Sequence, residues 1–217
     1  MTGDVECEKR LAAEAAAELV EDGMAVGLGT GTTAGHFLVV LAERELSLRC
    51  VATSPATERA ALELGLAVEN FDGHETLPRL DIAVDGADQI SPERWVVKGG
   101  GGAHTREKIV AAAAARFVVV ASSDKLVDRI RPPVPLELLR FGLRATLDRL
   151  EHAELRAAPP TPDGGVLADW RSQVDDPTEL TRLLSETPGV VEHGLFPPGL
   201  VSDVLVGRGG AVEHISS

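Results

Sequence analysis

The sequence carries only two cysteines, Cys7 and Cys50, and they form neither a CxxC pair nor a zinc-ligand spacing. They read as two ordinary thiols of a cytoplasmic chain, not as a disulfide. The six histidines are scattered, with no HExxH, which argues against a histidine metal site. No stretch reaches 18 uninterrupted apolar residues, and the opening "MTGDVECEKR" lacks the basic and apolar regions of a signal peptide; a soluble cytoplasmic protein is expected. Positive charge is also scarce: 21 Lys and Arg stand against 34 Asp and Glu, a net charge of −13. Nucleic acid and anionic membranes both call for a basic face, so neither is an expected partner. Only four of the basic residues are lysines, Lys9, Lys98, Lys108 and Lys125. In a chain that avoids lysine, each one that remains raises the question of why arginine would not serve.

What is present is enough for a core: 44% of residues are hydrophobic. The pattern starts with an Ala- and Glu-rich amphipathic helix over 7–21, closed by Asp22-Gly23. "MAVGLG" (24–29), "LRCVAT", "LAVENF", "LDIAVDGA", "WVVKG" and "FVVVA" (117–121) read as strands. They alternate with helices in "TGTTAGHFLVVLAERE", "SPATERAALELG" (Ser54 as N-cap, Pro55 at its first position) and 104–116. Strands that are apolar throughout and alternate with helices indicate a parallel sheet covered on both faces. Near "RIRPPVPLELL" prolines break the pattern, and β-α-β-β-α-β follows, the ferredoxin-like order. The last stretch, "VSDVLVGRGGAVEHI", reads as two short strands that rejoin the first sheet. The expected organisation is a Rossmann-like catalytic domain of residues 1–128 plus 200–217, with a smaller ferredoxin-like lobe of 129–199.

Four segments carry chemistry. "GLGTGTTAG" (27–35) formally matches a dinucleotide fingerprint, but the second strand ends "VATSPAT" without the acid that would hold a ribose. Its threonines and free N–H groups suit a small phosphate at a helix N-terminus, or else simply cap a tight turn. "DIAVDGADQI" places Asp85 and Asp88 at the carboxyl end of a strand, either facing a ligand crevice or forming an ordinary turn. "KGGGGAHTRE" sets four glycines, Gly99 to Gly102, between Lys98 and Glu107. Such a run exposes backbone N–H groups and lets a polar ligand come close. Glu107 is also explained as a first-turn acid favoured by the helix dipole. "VVVASSDKLV" ends a buried strand on Lys125.

In this order and spacing, "GLGTGTTA", "TSPATE", "VDGAD", "KGGGGAHTREKI" and "ASSDKLV" resemble the type A ribose-5-phosphate isomerase family. The likeness runs from about residue 9 to 128 and continues more loosely through "VPLELL", "TPGVVEHGLF" and "VSDVLVG". It implies interconversion of ribose 5-phosphate and ribulose 5-phosphate with neither metal nor organic cofactor, in a homodimer or homotetramer. It implies Glu107 as catalytic base, with Asp85, Asp88 and Lys98 around the reacting end of the sugar. Thr30, Gly31, Thr32, Thr33, Gly86, Ala87, Gly99, Gly100, Gly101 and Lys125 would contact substrate, with Lys9 as a further contact. Two positions depart from the family's usual pattern: Gln89 stands where an acid is common, and His104 where an apolar residue is common. Two other classes share the fold, a phosphosugar-sensing regulatory module and a coenzyme A transferase-like enzyme. The first lacks a basic segment for DNA here, and the second would predict a longer chain.

Overall fold

The computed structural model describes residues 2–73, 77 and 79–216. In chain order its elements are α1 (Thr2–Ala17), β1 (Ala25–Leu28), α2 (Thr32–Glu43), β2 (Arg49–Ala52), α3 (Pro55–Glu63), β3 (Leu80–Asp85), β4 (Gln89–Ile90), β5 (Val96–Val97), α4 (His104–Ala113), β6 (Ala114–Ser122), β7 (Val134–Leu138), α5 (Leu143–Arg149), β8 (Ala153–Leu155), β9 (Val166–Trp170), α6 (Pro177–Glu186), β10 (Val190–His193), β11 (Leu195–Phe196), β12 (Asp203–Arg208) and β13 (Ala211–Ser216). No described helix is long and apolar enough to cross a membrane. The chain forms two compact units, residues 1–87, 106–126 and 199–217 in one and 88–105 with 127–198 in the other.

The first unit is a six-stranded sheet in the order β13-β12-β6-β3-β1-β2. All its pairings are parallel except that of β12 with β13. β1 is buried along its length, as are the first five residues of β12, β3 apart from Asp81, and β6 from Phe117 onward, as near-continuous apolar runs predict for a sheet covered on both faces. The core gathers Val26, Leu28, Ile82, Val84, Val118 and Val120 from the strands with Ala12, Ala16, Phe37 and Leu41 from α1 and α2. The α1 helix stops at Ala17, earlier than the expected 21, because the Arg44 guanidinium takes the carbonyl oxygens of Ala17 and Val20. The α3 helix begins as its sequence dictates: the Ser54 hydroxyl accepts from the Thr57 N–H at 3.1 Å and Pro55 follows it.

Two local expectations are corrected. "LAVENF" is not a strand; it makes one bridge, Val68 beside Cys50, where Cys50 N–H donates to Ala67 and Glu69 N–H donates to Cys50. The helix expected over 104–116 ends at Ala113, and Ala114 to Arg116 open β6 in register with Leu80 to Ile82. There Arg116 Nε reaches Asp203 Oδ2 at 2.6 Å, so a tertiary pairing overrides the helical preference of the alanine run.

The second unit holds a four-stranded sheet in the order β10-β7-β9-β8, antiparallel throughout. With α5 and α6 it gives the ferredoxin-like β-α-β-β-α-β arrangement that was expected. Its core is Ile130, Val134, Leu136, Leu138, Ala168 and Trp170 with Leu150, Leu180 and Leu184 from the helical side. The division of the chain differs from the expected 1–128 and 129–199. Residues 88–105 belong with the second unit: β5 pairs with β4 on one side and with β11 on the other in a separate three-stranded sheet. "VVEHGLF", expected as one strand, is broken at Gly194 into β10 and β11, which lie in different sheets.

Candidate active site

In the first unit, β1 has β2 on one side and β3 on the other. This is the topological switch point, where crevices open at the carboxyl ends of parallel strands. Gly29 to Gly31 link β1 to Thr32 and Thr33 of α2, and Asp85 ends β3 with Gly86 and Ala87 after it, so the expected residues converge. Asp85 is 3% exposed, and its Oδ1 accepts from Thr30 N–H at 3.1 Å and Gly86 N–H at 2.7 Å. Gly29 is required by this arrangement, since a methyl on it would collide with the Asp85 carboxyl group. The Thr30 hydroxyl is turned inward, within 2.9 Å of the hydroxyls of Thr53, Ser54 and Thr57. It therefore fixes the loop, while exposed Thr32 and largely buried Thr33 follow at the start of α2. The N-cap of α2 is Gly31 (φ +116°), which has no side chain with which to cap the helix. Such an end presents N–H groups and the positive pole of the helix.

Glu107 lies in the first turn of α4 and is 5% exposed. Val110, three residues later on the same helical face, packs on Gly27 of β1. The last turn of α4 leads directly into the amino end of β6, so its first turn lies away from that end. Glu107, about 4.5 Å back along its axis, is thus displaced toward the carboxyl edge. Lys125 closes the short 3-10 turn Ser123–Lys125 after β6 at the same edge, its Nζ 3.4 Å from Asp124. Lys9 projects from α1, where Glu6 holds it at 2.6 Å; His36 takes the other oxygen of Glu6 at 3.0 Å.

A residue that sequence reasoning did not single out organises the Lys125 turn. Glu8 is buried on α1, and its carboxylate accepts from Ser123 Oγ at 2.7 Å, Ser123 N–H at 2.9 Å and Gly209 N–H at 3.2 Å. These bonds, the Ser123 hydroxyl first, hold its carboxyl below the ordinary carboxylate range. A depressed folded-state value contributes stability that is complete above the unfolded pKa of about 4.3 and is lost as pH falls through the folded one. The Glu8→Gln variant is thus expected to melt on the order of 2–4 °C lower at neutral pH, the worth of one net hydrogen bond in a chain of this size. Thermal melts from pH 7 down to 3 should show the gap closing below pH 4.3 or so; a constant gap would contradict the assignment.

In the second unit, Lys98 follows β5 and is 3% exposed. Its N–H donates to Gly194 O at 2.9 Å, and its Nζ stands 5.8 Å from the centre of the Phe196 ring, within range for a cation–π contact. The glycine run is a turn, closed by Gly102 N–H on Gly99 O at 3.0 Å. Two of its glycines, Gly99 and Gly102, have positive φ, and a methyl there would press on His104 (2.6 Å) and Leu167 (2.5 Å); on Gly100 it would come within 3.0 Å of the Asp88 carboxylate. On Gly101 it would meet no described atom within 4 Å. Asp88 is exposed and accepts from Gly100 N–H at 2.8 Å, so this amide, expected to face substrate, is taken by an expected site residue. His104 is fully buried with Nε2 3.4 Å from Glu192 O, and Gln89 exchanges two hydrogen bonds with the backbone of Arg131. Both departures from the family pattern thus have local partners. Buried Glu137, also missed by sequence reading, accepts from the hydroxyls of Thr105 and Thr161. It anchors the threonine two places before Glu107.

Among the described residues no cluster of three or more His, Cys, Asp or Glu is placed to hold a metal ion. Comparison with known proteins bears directly on this arrangement. Residues 49–210 match the family described as ribose 5-phosphate isomerase A (phosphoriboisomerase A). Ribose-5-phosphate isomerase A of Caulobacter vibrioides is 44% identical over 224 residues, covering 96% of this chain and 97% of the relative. The solved ribose 5-phosphate isomerase A of Methanocaldococcus jannaschii superposes with a TM-score of 0.88 at 34% identity, over 96% of this chain and 98% of that one. A D-ribose-5-phosphate isomerase solved in complex with phospho-erythronic acid gives 0.90 at 33% identity, over 98% and 99%. Sequence and fold agree from end to end, and the chain belongs to the ribose 5-phosphate isomerase A family.

Proposed function

We propose that the chain interconverts ribose 5-phosphate and ribulose 5-phosphate by moving one proton between C2 and C1 of the open-chain sugar. The observation that carries this reading is the pair of buried carboxylates, Asp85 and Glu107, at the carboxyl edge of the first unit's parallel sheet. They lie on the same sheet edge as the N-terminus of α2, whose N-cap is Gly31. Aldose–ketose exchange needs one base that removes the C2 proton and returns it to C1, and Glu107 takes that role. As the enediolate forms, charge grows on the oxygens; Lys98, beside the glycine turn, meets it. Asp85 and Asp88 exchange protons with the sugar hydroxyls and assist ring opening. The phosphate sits on the α2 N-terminus with Thr32, Thr33 and Lys125, and Thr30, Gly31, Gly86 and Ala87 shape that end. Lys9 lends positive charge from α1.

The protein is read as a cytoplasmic homodimer or homotetramer. Free thiols at Cys7 and Cys50 suit that compartment, the latter pushed up to about 11 by burial. Phe141, 93% exposed beside Leu139 at 51%, suits a subunit contact. Incubation with ribose 5-phosphate in the presence of chelator should yield ketose, and a purified, folded protein that yields none would refute the reading. In the same assay Lys125→Ala should raise KM by about 10–100-fold, the loss of one charge-assisted hydrogen bond; an unchanged KM removes Lys125 from the phosphate site.

A further inference from the structure

Four successive glycines have no conformation of their own to impose, so whatever orients the turn lies around it. Arg156, between β8 and β9, does this from one side. Its Nη1 donates to the carbonyl oxygens of Gly99 at 3.0 Å and Gly100 at 3.2 Å. The remainder of the guanidinium is held by Asp169 of β9, whose Oδ1 accepts from Nε at 3.0 Å and from Nη2 at 2.6 Å. Asp169 is 5% exposed, and Arg171 stands 3.4 Å from its second oxygen. The Arg156 backbone is fixed too, its N–H on Leu167 O at 2.9 Å. The donors of a guanidinium form a rigid planar fork, so the clamp fixes direction as well as distance.

In a trans peptide the N–H points away from the C=O of the preceding residue. Holding Gly99 O on Arg156 therefore sends the Gly100 N–H the other way, where it meets Asp88 at 2.8 Å. Holding Gly100 O on the same nitrogen sends the Gly101 N–H to that same side. We propose that Arg156 is a positioning residue that, without touching substrate, aims the Gly101 N–H at the oxygen on which charge develops. Gly101 is the one glycine of the turn at which a methyl would meet no described atom, which leaves room for a sugar oxygen there. The inference rests on the isomerase reading of the turn.

Arg156→Ala and Arg156→Lys separate positioning from mere stability. With the alanine variant, kcat on ribose 5-phosphate should fall by about 10–100-fold, the cost of misplacing a reacting group, with KM within about threefold. Amide exchange in residues 99–102 should quicken while that of β7 and β9 stays as in the parent. Millimolar methylguanidine should restore part of the lost kcat, and Arg156→Lys, which reaches one carbonyl with one ammonium, should fall between. A folded alanine variant with kcat within threefold of the parent, or with a loss that added methylguanidine leaves in place, overturns the proposal. Should alanine prevent folding, the lysine variant decides by the same readouts, lowered kcat with faster exchange in the turn. A parent inactive on ribose 5-phosphate overturns the isomerase reading instead, and the exchange data then still decide whether Arg156 holds the turn.

Discussion

Glu107→Gln is expected to lower kcat on ribose 5-phosphate by at least about 10³-fold while leaving KM within about threefold. Glutamine keeps the size and the hydrogen-bonding oxygen of the side chain and removes only its basicity. Glu107 is 5% exposed, so water has little access to substitute for it. The phosphate contacts assigned to Thr32, Thr33 and Lys125 are on other elements, which is why affinity should survive. If Glu107 were only a first-turn acid on α4, it would contribute about 0.3–1 kcal/mol to the helix and nothing to turnover. Steady-state kinetics on purified, folded protein decides. Turnover within tenfold of the parent would move the base to Asp85 or Asp88.

Lys98→Met is expected to cost roughly 10²–10³-fold in kcat, the range for deleting one preorganised donor at a developing oxyanion. Methionine keeps an unbranched apolar stem one heavy atom shorter than that of lysine, so most of the packing beside Phe196 is kept while the charge and its donors are removed. Lys98→Arg should not restore the rate. The site is 3% exposed, and a planar fork cannot occupy the volume or the direction of a compact ammonium. Fast turnover by Lys98→Met, within fivefold of the parent, would leave Lys98 as a packed cation on the Phe196 ring.

Local sequence carried the parts of the site that local chemistry specifies. Ser54-Pro55 announces the start of α3, and apolar runs that end on Asp85 or Ser122 announce buried parallel strands. What could not be read is set by partners far away in the chain. Val96 and Val97 look like any short strand, but their place is decided by Gln89–Ile90 and by Leu195–Phe196, nearly a hundred residues on. The alanines at 114–115 have the composition of a helix and become strand through their register with Leu80. Four glycines signal that something must approach the backbone, and for three of them the approaching groups are His104, Asp88 and Leu167. A stretch without side chains says nothing of which neighbour it accommodates. Glu8, Glu137, Arg156 and Asp169 escaped for the same reason: each lies in an unremarkable run, and its meaning comes from the distant backbone or hydroxyl that it holds.

The position of β12 bears on how the protein is made. This strand pairs with β6 from Asp203 to Gly207, so during synthesis β6 is complete about eighty residues before its neighbour exists. At the usual rate of about 5–20 residues per second, that interval lasts roughly 4–16 s. Throughout it the run from Phe117 to Ser122, buried in the finished fold, presents an open edge of unpaired amides and carbonyls on the nascent chain. The intervening residues are largely those of the ferredoxin-like unit, whose own sheet needs only strands between 134 and 193. That unit can close first, while the parallel sheet waits with its apolar edge exposed to chaperones or to neighbouring nascent chains.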